Sequence, residues 1–157
     1  MRRDQLEHVL RAACTIAKAD EALVIGSQAI LGSLPEEVLP VEAIRSIEVD
    51  VAFLDDVNDE LSDRVDGALG ELSQFHETFG YYAQGVSVTT AVLPSGWQER
   101  LIVFETPGTA PGRGLCLERH DLVVSKLVAY REKDREFAAA LIREGLVDLE
   151  ELRARVA

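Results

Sequence analysis

Several residue types are scarce in this chain of 157, which holds two cysteines, one methionine, one tryptophan and five prolines. Two cysteines this far apart make no disulfide framework. Cys14 and Cys116 lie in apolar contexts and read as buried thiols in a reducing cytoplasm, with a disulfide or a shared metal as the alternative. No apolar run approaches the ~20 residues that span a bilayer, so no membrane role is expected. Met1-Arg2-Arg3-Asp4 leads into a mixed amphipathic segment rather than an apolar signal core. There is no internal repeat and no low-complexity stretch. His76 and His120 lack metal-ligand spacing and read as loop or cap residues.

Positive charge is also scarce. The chain carries 16 basic and 28 acidic side chains, for a net charge of −12. The deficit is local: residues 1–112 account for all of it, and residues 113–157 are balanced. Such a surface does not attract nucleic acid at long range. Between Glu48 and Glu77 the only base is Arg64, which reads as a solvated helical surface or, alternatively, a cation-binding one.

What is present suits a globular domain: 47% apolar and 28% charged residues. The length fits one domain, 1–157, with a core in 22–118 and a helical part in 119–157. Leu6, Val9, Leu10, Ala13, Ile16 and Ala17 recur at helical spacing after Asp4, a candidate N-cap, and predict a helix over 5–19. Ala22–Ile25 reads as a short strand and 27–33 as a helical turn. Pro35 to Pro40 reads as a loop, and 46–54 as a strand. Asp55-Asp56 can cap a helix whose stripe is Val57, Leu61, Val65, Ala68, Leu69 and Leu72. Residues 73–85 read as an aromatic loop. Val86–Leu93 alternates like a strand and pairs in a predicted hairpin with Leu101–Phe104, with Trp97 as its anchor. A loop over 106–114 and a last strand at 115–117 precede helices near 121–130, 134–145 and after Asp148. This order predicts an α+β fold, a small mixed sheet with helices on one side.

Two stretches carry the chemistry. In a strand, Ile47, Val49, Val51 and Phe53 would face the core, and Glu48 and Asp50 would stand together on the other face. Paired carboxylates repel each other, and a divalent cation such as magnesium relieves that repulsion. Gly26-Ser27 follows the first strand, where glycine lets backbone approach a ligand and free N–H groups suit phosphate. Lys126 by itself reads as a surface lysine, and Asp134 as a helix cap.

The order of strand, Gly26-Ser27, helix and then a strand bearing Glu48 and Asp50 resembles the polymerase-beta type of nucleotidyltransferase. The block from His120-Asp121-Leu122 through Ser125-Lys126-Leu127 to Arg131-Glu132-Lys133-Asp134 resembles a bacterial nucleotidyltransferase-like family of unknown function, near the AbiEii-type toxins of toxin–antitoxin pairs. The stretch Phe75–Val86 shares the likeness. The resemblance implies a magnesium site on Glu48 and Asp50, with Gly26, Ser27 and Lys126 on the triphosphate of an NTP. It also implies Asp134 as base or orienter, an RNA or protein hydroxyl as acceptor, and an antitoxin as partner. Three departures are visible. Glu48 stands where an aspartate is usual, twenty residues separate Ser27 from Glu48, and Val86–Leu93 holds no third acid. The missing third acid and the Glu48 substitution favour a second expectation, a catalytically silent nucleotide- or protein-binding relative. Lys126, Tyr130 and Lys133 would share one helical face if the helix ran that far.

Overall fold

The computed structural model describes residues 1–157. Its first helix, α1 (Arg3–Ala17), buries Leu6, Val9, Leu10, Ala13, Cys14 and Ala17, one stripe at helical spacing. Its N-cap is Arg2, with Gln5 accepting from the Arg2 N–H at 2.8 Å, while Asp4 sits in the first turn. The helix ends at Lys18, whose left-handed backbone lets its N–H reach the carbonyls of Cys14 and Thr15.

The remaining elements are β1 (Glu21–Val24), α2 (Ile30–Ser33), α3 (Val41–Ile44), β2 (Glu48–Ala52), α4 (Glu60–Leu69), α5 (Gln74–Phe79), β3 (Tyr82–Gly85), β4 (Ile102–Phe104), β5 (Arg113–Cys116), α6 (Arg119–Ala129), α7 (Glu132–Arg143) and α8 (Leu149–Val156). The strands form one mixed sheet in the order β3-β2-β1-β5-β4. β1 runs antiparallel to β2 and parallel to β5; β3 is parallel to β2, and β4 antiparallel to β5. The α+β class expected from the sequence is the one found.

Register defines two faces. Val24, Val51, Val49, Ala83 and Cys116 share one, which α1 and α4 cover. Gly85 lies on this face with its Cα against the α4 backbone at Ser62, where a β-carbon would collide, so only glycine lets α4 come this close. Leu23, Ala52 and Leu115 share the other face with Glu48, Asp50, Tyr82 and Gln84. α7 and α8 pack on α6, and these helices meet the rest through α2, α3, the turn Ser27–Ala29 and the Arg100–Asp121 ion pair.

Several expectations are corrected. Residues 73–85 are not a loop. The Ser73 hydroxyl accepts from the His76 N–H at 3.2 Å and caps α5, left-handed Gly80 stops it, and β3 follows. Val86–Leu93 is not a strand. The Val86 N–H still donates to the Val51 carbonyl at 2.9 Å, after which Ser87 caps a 3-10 turn at Val88–Thr90. The predicted hairpin is absent because its two arms lie at opposite edges of the sheet, so residues 86–101 cross it. Trp97 opens a 3-10 turn, Trp97–Arg100, rather than anchoring a hairpin.

Smaller differences follow from burial. Ile47 precedes β2 and is half exposed. Val57 and Leu72 are exposed, and so is Ala68, so α4 buries only Val65 and Leu69 of the proposed stripe fully. The N-cap position of α4 is left-handed Asp59, but Asp56, one of the two expected capping acids, accepts from the Leu61 and Ser62 N–H groups at 2.8 and 2.9 Å. Both cysteines are buried and unpaired. No helix is long and apolar enough to cross a membrane.

Candidate active site

β2 puts Glu48 and Asp50 on the sheet face away from α1, and both line a cleft of about 750 Å³. Ser27, Lys126 and Asp134 line the same cleft. Gly26 lies behind Asp50: a β-carbon there would stand 2.5 Å from Asp50 Oδ2. Its backbone is extended, so the need for glycine is one of space rather than of torsion. The structure thus brings Gly26, Ser27, Glu48, Asp50, Lys126 and Asp134 to one place.

Asp50 is the most perturbed of them. Burial, and then the neighbouring Glu48 carboxylate, push its pKa up to about 7, against the pull of Lys126 and Lys133. Its Oδ1 is buried with no hydrogen-bond partner. Glu48 is better supported, because the Tyr82 hydroxyl donates to its Oε2 at 2.9 Å. Burial and that bond hold the Tyr82 hydroxyl above its usual range.

The Ser27 hydroxyl accepts from Gln28 Nε2 at 3.0 Å, which leaves its own proton free to donate into the cleft. The Ala29 N–H is committed to the Gly26 carbonyl at 3.0 Å and is not available to a ligand.

Lys126 is buried in α6, not a surface lysine, and its Nζ lies 3.5 Å from Asp134 Oδ1. Desolvation lowers its pKa, opposed by the charges of Asp134 and Asp50. Asp134 is not the N-cap of α7 but its third residue, accepting from the Arg131 N–H at 3.1 Å and from Arg131 Nε at 2.7 Å. Burial alone would raise its pKa, yet the bonds from Arg131 and the charge of Lys126 bring it below the ordinary carboxylate range. α6 stops at Tyr130, whose left-handed backbone turns the chain, so Lys126, Tyr130 and Lys133 do not share a helix. The turn still leaves Arg131 and Lys133 on the cleft wall.

Three residues of the site were missed in the sequence. Tyr82 and Gln84 fell in the supposed loop, yet β3 pairs Tyr82 with Glu48 and Gln84 with Asp50. Gln84 stands on the strand beside the acid pair, in register with Asp50, and it lines the cleft. Arg131 entered only as part of the block that carries the resemblance. The alternation Tyr82-Ala83-Gln84 was the available signal. His120 and His76 lie outside the cleft. His120 Nε2 accepts from the Asp148 N–H at 2.9 Å, and His76 Nδ1 from the Leu72 N–H at 3.0 Å.

A mixed sheet with an acid pair on its second strand, facing a Gly-Ser turn, is a small nucleotidyltransferase-type α+β fold. Residues 4–157 match the family described as a nucleotidyltransferase of unknown function (DUF6036), and the chain belongs to that family. No curated protein and no solved structure matches the chain.

Proposed function

We propose that the cleft transfers a nucleotide from an NTP to a hydroxyl group with the help of magnesium. The observation that carries this reading is the unpartnered, buried Asp50 Oδ1 beside Glu48, facing Lys126 across one cleft. An all-oxygen pair with an open lone pair fits a hard cation, which tolerates few protein ligands and keeps waters or substrate phosphates. When bound, magnesium would neutralise phosphate charge and orient the triphosphate.

The chain's own residues supply the rest. Ser27 donates to a phosphate oxygen. Lys126 places a compact ammonium against the triphosphate, and Asp134 keeps that ammonium aimed. Held charged by Arg131, Asp134 is a poor base and serves as orienter. The acceptor oxygen attacks the α-phosphorus, the bond to pyrophosphate breaks, and the hydroxyl proton leaves to water at the open mouth. Positioning and charge neutralisation carry such a transfer.

The likeness to AbiEii-type toxins extends the proposal: unrestrained transfer to RNA or protein would arrest growth, and an antitoxin would relieve it. A second reading, nucleotide binding without turnover, draws on Gln84 in place of an acid and on the absence of any group of three or more potential metal ligands. Incubation with α-labelled NTPs and magnesium separates the two. Label transfer or pyrophosphate release that Asp50→Asn abolishes supports the enzyme. NTP binding with no turnover on any acceptor supports the silent module.

A further inference from the structure

A second hollow, about 490 Å³, opens on the same sheet face as the acid pair. Beneath it lie Leu23 and Leu115 of the central strands, both buried, and Leu54 just beyond β2 adds exposed apolar surface. The apolar surface continues outward: Leu54 is 40% exposed, and Val103, in register with Leu115, is 52% exposed. Four carboxylates rim the hollow, those of Asp20, Glu21, Asp55 and Glu105. Only Glu21 is neutralised, by Arg113 at 2.9 Å, so three acids stand without an ion-pair partner around an apolar floor.

The hollow and the cleft are neighbours along the chain, with Leu23 of β1 lining the first and Ile25, just beyond β1, lining the second. Residues two apart on an extended chain lie roughly 7 Å from each other. A few residues of extended polypeptide therefore reach from one to the other.

Resting on the nucleotidyl-transfer reading above, we propose that this groove seats a basic segment of the polypeptide whose hydroxyl accepts the nucleotide. Lysine and arginine suit both parts of the groove, since their aliphatic stems cover apolar floor while their charged ends meet carboxylates. An RNA acceptor meets the opposite field, because three unpaired carboxylates repel its phosphates. The groove thus selects between the two acceptor classes. The acceptor oxygen forms the new bond to the α-phosphorus, pyrophosphate leaves, and the proton goes to water.

The test uses the full chain and a short fluorescent peptide of lysine, leucine and serine, first without nucleotide or metal. Binding is read by anisotropy for the wild type, for Asp55→Lys with Glu105→Lys, and for Glu71→Lys with Glu77→Lys. The last pair makes the same change in net charge on the α5 side of the molecule. Thermal melts establish that each variant is folded. We expect the groove variant to bind about tenfold more weakly or worse, and the control within about twofold of wild type. Equal losses in both variants would overturn the groove. With magnesium and α-labelled NTP added, label should pass to the peptide and not to an RNA 3′ end. Preferential labelling of RNA overturns the acceptor assignment. Groove-specific binding with no label transferred to any acceptor overturns the transferase reading and, with it, the acceptor role.

Discussion

Asp50 concentrates the residue-scale physics of the site. Its carboxyl titrates near 7 in the folded chain against an ordinary 3.8, chiefly because it is buried and then because Glu48 is beside it. The folded state therefore holds this proton more tightly than the unfolded one. Stability from this group is fully present below about 4 and is lost as pH rises towards 7. Over that window the cost is on the order of a few kcal/mol. Asp50→Asn removes the titration, so in chelator its stability should gain on wild type as pH rises from 4 to 7. Urea unfolding at stepped pH checks this, and parallel curves would remove Asp50 as the perturbed group. Magnesium binding must also displace the proton, so wild-type affinity should fall as pH drops below about 7. Gly26 gives a steric test of the same site. In Gly26→Ala the new methyl would meet Asp50 Oδ2 at 2.5 Å, with Asp50 Cγ at 2.9 Å. The expected result is a loss of roughly 1–3 kcal/mol in stability, together with loss of magnesium binding by calorimetry.

At the scale of elements, the site depends on the corner between α6 and α7. Left-handed Tyr130 ends α6, and Asp134 both completes the capping box of α7 and meets Lys126 from α6. Asp134→Asn keeps an acceptor for the Arg131 N–H but leaves Lys126 buried without a charged partner. The substitution should destabilise by roughly 1–3 kcal/mol. Lys126→Met in the same chain should recover part of that loss. A double-mutant cycle in urea reads the coupling, and additive effects would mean that the pair does not interact. This corner also shows what the sequence could reveal. Local signals placed β1, the Gly26-Ser27 turn, β2 and the three C-terminal helices, because each rests on neighbours within a turn or a strand. Lys126 and Asp134 entered through the resemblance instead, because their local readings, a surface lysine and a helix cap, are the ones burial and the Arg131 cap overturn. The alternation in Val86–Leu93 was not decisive, because strand identity depends on a partner distant in sequence. Tyr82-Ala83-Gln84 had that partner in β2, and Val86–Leu93 did not. Gln84 was lost from the site with the strand that carries it.

At the scale of the molecule, the question is how a chain of net charge −12 would draw in both ligands proposed above, a triphosphate and a basic polypeptide. Residues 1–112 carry the whole deficit, while Lys126, Arg131 and Lys133 line the cleft from the balanced C-terminal part. Screening separates the two fields by range. The screening length is about 30 Å at 0.01 M salt and about 10 Å at 0.1 M. At the lowest salt an approaching NTP feels the whole negative molecule. Near 0.1 M that repulsion is largely screened, while buried Lys126 and the exposed Arg131 and Lys133 on the cleft wall still act at close quarters. Higher salt then weakens the local ion pairs. The association rate of an NTP should therefore rise from low to moderate salt and fall beyond it. The lysine-rich peptide faces attraction at every range, so its rate should fall from the lowest salt onward. Stopped-flow fluorescence with both ligands over one salt series makes the comparison. An NTP rate that falls from the start would mean that the cations at the α6–α7 corner outweigh the global charge. Salt curves of the same shape for both ligands would mean that neither cleft nor groove shapes the field as the charge distribution requires.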